Sequence, residues 1–219
     1  MKVSIVIPTL NEEQNLPKVL KGIPKDIYEI IVVDGHSKDK TVEIAKNYDA
    51  KVFFDDKGKG SALRKGMKAA KGDIVIMMDA DCSHKSSEIG LLTEGIKAGF
   101  DVCMGSRFIQ GGGTEDMSWH RKMGNKIFVF LVNSIWGMNY SDLCYGYRSF
   151  RKNCINKLNL KQDGFGIETE ISIKAAKKKL RVLEVPSYEK ARDSGEGRLR
   201  TFSDGWRIFK TIIHEMFSD

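Results

Sequence analysis

Three short apolar runs in this chain end in polar residues able to bind a charged ligand. They read Pro8-Thr9-Leu10-Asn11-Glu12, Val32-Val33-Asp34-Gly35 and Met77-Met78-Asp79-Ala80-Asp81. The third is the sharpest. Asp79 and Asp81 are one residue apart, so an extended backbone points both side chains the same way. Two carboxylates held together disfavour each other's ionisation unless a cation or hydrogen bonds intervene. A magnesium or manganese ion bridging diphosphate oxygens would relieve that repulsion. An acidic strand end that caps the next helix is the competing account, and the motif alone does not separate the two.

These acids need elements to position them. The runs Val3–Ile7, Ile30–Val33, Val52–Phe54, Ile74–Met78 and Val102–Met104 are apolar throughout, which predicts strands covered on both faces of a parallel sheet. Helical spacing falls between them over Glu12–Gly22, Thr41–Tyr48, Ser61–Ala70 and Ser86–Lys97, with Asp39 an expected N-cap. Alternating strands and helices predict right-handed crossovers, and ligands in such sheets collect at the carboxyl ends of the strands. After Arg107 the pattern changes. A Gly-rich stretch, QGGGTED, reads as a mobile loop, and Trp119–Met138 as an unusually apolar helix. Tyr147–Phe150 reads as an antiparallel strand, Ile167–Lys178 as a helix, Arg181–Val185 as a strand and Phe202–Phe217 as a helix. No linker divides the chain, so residues 1–219 are expected to form one domain, with 1–106 the ligand-binding half and 107–219 an elaborated second half.

Bulk composition narrows the classes. With 36 Lys and Arg against 29 Asp and Glu, the net charge of +7 favours anionic partners. No recognisable nucleic-acid module or aromatic platform accompanies that charge, so nucleic acid is not an expected partner. Cys82, Cys103, Cys144 and Cys154 form no C-x-x-C pair, which argues for reduced thiols rather than zinc or a disulfide framework. The N-terminus lacks the apolar length of a secretory signal, and no stretch nears the ~20 apolar residues of a membrane span. The expected location is cytoplasmic.

Taken together and in this order, PTLNE, VVDG and DAD resemble the family 2 glycosyltransferases of the GT-A fold. KGKGSALRKG is similar to the family's Gly-rich segment after the third strand. MGSRFIQGG, LCYGYRSF and EVPSYEKARDSGEG resemble the subgroup that makes dolichyl- or polyprenyl-phosphate mannose or glucose. The resemblance implies a single Rossmann-like α/β domain with a mostly parallel central sheet flanked by helices. It implies an inverting, Mg2+- or Mn2+-dependent transfer of a hexose from a GDP- or UDP-linked donor to a polyprenyl phosphate. Glu12 and Asp34 would hold the base and ribose, in a nucleotide-sugar pocket lined by Pro8, Thr9 and Ala80. Asp79 would meet the ribose or metal and Asp81 the metal, with Ser83 a possible weak ligand. Arg107 and Arg148 would meet phosphate groups of donor or acceptor, and Arg192 and Arg198 would sit on a loop closing over the diphosphate. An ionised polyprenyl phosphate needs no general base. Glu168 and Glu170 are candidates only for a hydroxyl acceptor, and solvated helix acids are the plainer reading of both.

Three positions depart from the family pattern. Gly35 stands where a second Asp is common, Ser83 where a Gln is usual, and Gly197 where a Ser is usual. They leave donor and acceptor open. A lipid acceptor implies contact with the cytosolic face of a membrane, either directly or through an anchored partner. IFVFLVNSIWGM and the Trp206–Phe217 face, flanked by Arg121, Lys122, Lys126, Arg207 and Lys210, are the candidate contacts, with core packing the rival use of both. Other readings are transfer to a saccharide or protein hydroxyl, a nucleotidyltransferase, and a non-catalytic nucleotide-sugar-binding module. The acidic PTLNEE after the first strand disfavours the nucleotidyltransferase.

Overall fold

The structure, a computed structural model, describes residues 1–197 and 200–218. Its first half alternates β1 (Val3–Thr9), α1 (Leu16–Gly22), β2 (Glu29–Asp34), α2 (Thr41–Asn47), β3 (Lys51–Phe54), α3 (Lys59–Ala69) and β4 (Ile74–Met77). Next come α4 (Ile89–Lys97), β5 (Val102–Ser106), β6 (Gly113–Thr114) and α5 (Trp119–Trp136). The chain finishes with β7 (Arg148–Arg151), α6 (Lys152–Leu158), α7 (Ile167–Lys177), β8 (Val182–Pro186), β9 (Tyr188–Glu189) and α8 (Thr201–Phe217).

Seven strands form one sheet in the order β3-β2-β1-β4-β7-β5-β8. All neighbours are parallel except β7, which runs antiparallel to both β4 and β5. Alternate residues of each strand feed opposite faces, which is why the strands are apolar throughout. Ile5, Ile7, Val32, Ile74, Ile76 and Cys103 pack with α1, α2 and α4. Val6, Ile31, Val33, Val75, Met77 and Phe150 pack with α3, α6, α7 and α8. Each fully buried Ile or Val contributes roughly 1.5–3 kcal/mol.

The topology places the site. The chain steps outward from β1 through β2 to β3, then returns to lay β4 on the other side of β1. Loops leaving β1 and β4 therefore diverge, opening a crevice at this switch point. Parallel pairing sets Val6 beside Met77, so Glu12 and the Asp79–Asp81 pair emerge at the same edge.

Several local expectations are corrected. The helix expected from Glu12 begins at Leu16, because Pro17 sits in its first turn and residues 12–15 form a turn closed by Asn15 and Leu16 amides on the Glu12 carbonyl. Asp39 lies one residue outside the N-cap of α2, yet its carboxylate accepts the Thr41 amide at 3.0 Å and the Glu13 amide at 3.1 Å. QGGGTED is not a free loop: Gly113 and Thr114 pair with Tyr188 and Glu189 as the two-stranded β6–β9 ladder. The helix α6 had no sequence-level forecast.

Candidate functional site

A cavity of about 600 Å³ opens at the carboxyl ends of β1 and β4 and extends between α5 and α8. Pro8, Thr9, Glu12, Asp79, Ala80, Asp81, Ser83, Arg107 and Arg192 all line it. Two expected residues do not. Asp34 lies beneath the floor, fully buried, where Thr9 Oγ1 donates to its Oδ2 at 2.8 Å and the Ser37 amide to its Oδ1 at 2.7 Å. Its neighbour Gly35 reaches the cavity instead.

Arg148 is the clearest correction. It has no exposed surface and donates to the carbonyls of Tyr145 (2.9 Å), Leu143 (2.8 Å) and Glu168 (2.8 Å), and to Ser172 Oγ. Burial pushes its guanidinium below the usual arginine value. Its position on β7, flanked by β4 and β5, points it into the interior, where it ties the 143–145 segment to α7. Four of its five N–H donors are taken up by these interior partners, and none of its surface reaches the cavity. Arg107 does face the cavity, but Asp142 binds it bidentately at 2.7 and 2.9 Å and Glu189 adds a contact at 3.0 Å. Burial alone would lower its basicity; the two carboxylates outweigh that and raise it. Arg198 lies outside the described residues.

The acids at the cavity floor are each met by a cation of the chain. Lys59, the first residue of α3, places Nζ 2.8 Å from Asp79 and 3.0 Å from Glu168. Burial would favour a neutral lysine, but the paired carboxylates raise its affinity for the proton and keep it charged. Burial likewise opposes ionisation of Asp79, and Lys59 and Arg192 reverse this, holding its carboxyl below the ordinary range. Room for the triad comes from Gly146. A methyl there would stand 3.1 Å from Asp79 Oδ2 and 3.2 Å from Lys59 Nζ.

His84 completes the support. Its Nδ1 accepts the Asp79 amide at 3.0 Å, and its ring stacks on Tyr147 at 4.6 Å and meets Tyr145 edge-on at 4.9 Å. Burial pushes its pKa down, in keeping with a ring nitrogen that accepts a hydrogen bond.

Asp81 is presented differently. Ser83 donates to its Oδ1 through both Oγ (2.6 Å) and N (3.1 Å), so Ser83 orients the carboxylate. The other oxygen faces Arg192 Nη1 at 3.4 Å, and Arg192 Nη2 contacts Glu12 at 2.5 Å. Arg192 thus bridges the two acids from the segment after β9.

A divalent ion fits this donor set. The ligands on offer are carboxylate oxygens, the type Mg2+ and Mn2+ prefer, and among the described residues Asp81 Oδ2 has only the long Arg192 contact. Among the described residues no three acidic, His or Cys groups converge on one point. Ligand phosphate oxygens and water would have to complete the shell.

Sequence reading missed Lys59, His84 and Glu189 and misjudged Glu168 and Glu170. Both glutamates are buried rather than solvated. Glu168 pairs with Lys59. Glu170 accepts the Lys161 and Gln162 amides and pairs with Lys174 at 2.7 Å, serving the α6–α7 connection. The one sequence signal for Lys59 was its place between Gly58 and Gly60. Those glycines let α3 abut the backbone of residues 162–164, where the Gly60 amide donates to the Asp163 carbonyl at 2.8 Å.

A seven-stranded mixed sheet with its acids at the β1–β4 switch defines a GT-A type α/β fold. The chain belongs to glycosyltransferase family 2, whose model, "Glycosyl transferase family 2", matches residues 4–158. It is 37% identical to a dolichol-phosphate mannosyltransferase of Pyrococcus furiosus over 98% of this chain and 62% of that protein. It is 30% identical to glycosyltransferase AglJ of Haloferax volcanii, covering 94% of this chain and 69% of AglJ. The chain therefore spans a little under two thirds of the Pyrococcus relative. Among solved structures it resembles glucosyl-3-phosphoglycerate synthase of Mycobacterium tuberculosis, in complex with Mn2+, UDP and glucosyl-3-phosphoglycerate. The TM-score is 0.76 at 20% identity, with 98% of this chain and 80% of that one covered, a likeness of fold.

Proposed function

We propose that this protein transfers a hexose from a GDP- or UDP-linked donor to a polyprenyl phosphate, with Mg2+ or Mn2+ held at Asp81 and Asp79. The carrying observation is the shape of the cavity: one end holds the carboxylate–cation cluster, and the other opens between two helices with exposed aromatic faces. Trp119 and Phe130 on α5 are 64% and 70% exposed, and Phe202 and Trp206 on α8 are 90% and 57% exposed. Phe202 and Phe128 also line the cavity. An isoprenoid tail lying along these faces would leave its phosphate at the cluster. The similarity to the Pyrococcus dolichol-phosphate mannosyltransferase supports the same acceptor class.

A bound divalent ion would supply charge stabilisation to the departing diphosphate. The chain's own cations would add to it. Arg192 would leave Glu12 and Asp81 for the diphosphate, a planar donor exchanging carboxylate for phosphate partners. Lys59 would keep Asp79 ionised and in place. Asp79 and Asp81 would keep their geometry through His84 and Ser83. Attack by an already ionised phosphate oxygen would require no proton acceptor, in keeping with Glu168 being paired to Lys59. No helix of the described residues is long and apolar enough to cross a membrane; in this reading the exposed aromatic residues of α5 and α8 meet the surface of the bilayer.

The test supplies labelled GDP-mannose, UDP-glucose and UDP-N-acetylglucosamine with polyprenyl phosphate and Mg2+ or Mn2+. Label is expected in the organic-extractable lipid, lost on chelation and in Asp81→Ala. Donor hydrolysis without labelled lipid would overturn the acceptor, and no turnover of any donor would overturn the enzyme reading.

A further inference from the structure

Away from the carboxylate cavity, a second concavity of about 390 Å³ lies where α6, α7 and the last turn of α8 meet. It is lined by Lys157, Lys161, Lys174, Lys177, Lys178 and Glu215, among others, and shares no residue with the first. Two of the lysines are neutralised. Lys174 pairs with Glu170 at 2.7 Å, and Lys177 lies 3.4 Å from Glu215 Oε2 and 2.5 Å from the Ser218 carbonyl. Lys157, Lys161 and Lys178 are exposed and have no carboxylate within ion-pair distance among the described residues. Three uncompensated like charges around one hollow repel one another. A multiply charged anion relieves that repulsion and takes charge-assisted hydrogen bonds from all three.

The hollow also sits at the end of an apolar stripe. Phe202, Trp206, Phe209, Ile213 and Phe217 recur every three or four residues along α8 on the side away from buried Ile208 and Ile212. Arg207, Lys210 and His214 border that stripe, and His214 itself lines the hollow. A helix with this cross-section lies in a membrane interface with its basic edge among the headgroups.

We propose that the lysine-lined hollow binds phosphate, presented by the headgroup of an anionic phospholipid while α8 rests on the bilayer. This rests on the membrane reading above for the source of the phosphate, not for the site itself. Charged lipid would anchor the half of the molecule beyond the acceptor entrance.

The test compares the intact chain with the triple variant Lys157→Ala/Lys161→Ala/Lys178→Ala. The control is Lys21→Ala/Lys25→Ala/Lys46→Ala, an equal loss of charge on α1, α2 and the turn between α1 and β2. Flotation is measured on phosphatidylcholine vesicles with and without phosphatidylglycerol, and lysine acetylation is mapped with and without inorganic pyrophosphate. The anionic lipid should strengthen wild-type binding. The pocket variant should lose roughly a hundredfold of that gain, at about fivefold per lysine, while the control keeps most of it. Pyrophosphate should protect Lys161 and Lys178 from acetylation. Equal losses in variant and control, or no loss in either, would overturn the site. Protection by pyrophosphate without any vesicle binding would overturn the lipid as its source. Label transfer to polyprenyl phosphate is scored separately, so failure of the acceptor reading is distinguishable from failure of this one.

Discussion

Lys59 illustrates how far one residue's charge state depends on its neighbours. It sits between Asp79 and Glu168, mostly shielded from water, and pairs with both. Removing one member of such a group leaves buried charge uncompensated, which typically costs about 3–5 kcal/mol. Lys59→Met is therefore expected to lower unfolding free energy by that order in a denaturant titration, and Glu168→Gln added to it should recover part of the loss. Arg148 gives a contrasting case. Arg148→Met strands three interior carbonyls, so stability should fall by about 3 kcal/mol or more. Donor KM in the molecules that stay folded should not change, because the side chain never reaches the cavity. A large rise in donor KM with stability intact would instead make Arg148 a phosphate ligand.

At the scale of elements, α3 is set by its glycines. Gly66 lets the helix lie directly on β1 and β2: a methyl there would stand 2.3 Å from Val6 Cγ1 and 3.0 Å from Val33 Cγ2. Gly66→Ala forces helix and sheet apart and should cost about 1–3 kcal/mol. Because Lys59 rides on the same helix, the shift should also weaken donor binding, which isothermal titration would detect. A donor affinity equal to wild type would mean that Lys59 does not depend on the seating of α3. The helix and strand periods were readable from the sequence, and β7 was expected antiparallel, as found. The short β6–β9 ladder was not readable. Two-residue strands carry no periodicity, and their pairing joins positions some 75 apart, as between Thr114 and Glu189.

For the whole molecule, acid sensitivity follows from carboxylates that are more acidic folded than free. Glu29, at the start of β2, is buried, which alone would raise its pKa. Hydrogen bonds from Lys51, Ser4 and the Lys71 amide outweigh this and hold it below 4.5. Asp39 behaves alike, with Thr41 and the Glu13 amide outweighing burial. A depressed folded pKa stabilises the native state above the unfolded value, and that stabilisation is lost as pH falls through the folded value. The urea midpoint should therefore stay level from neutral pH to about 5 and then fall. Glu29→Gln should start lower and fall less. An equal acid slope in variant and wild type would remove Glu29 from the account. The four thiols are unpaired in the structure, and burial pushes Cys103 and Cys144 up to about 12.

By itself the sequence determined where acids meet strand ends. Apolar runs of strand length, each closed by Glu12, Asp34, Asp79 or Asp81, are local facts, and parallel α/β topology sends their carboxyl ends to one edge. Which charges face the ligand was decided only in three dimensions. An arginine's planar donors suit a phosphate, a carboxylate or a set of carbonyls equally well, and its neighbours in sequence do not reveal which it meets. Arg148 met carbonyls, Arg107 met Asp142 and Glu189, and Arg192 met Glu12 from 180 residues away. Lys59, unremarkable beside two glycines, became the central cation because α3 and α7 converge on β4. Electrostatic pairing acts through space over a few ångströms, so it is fixed by how the elements pack and not by their order along the chain.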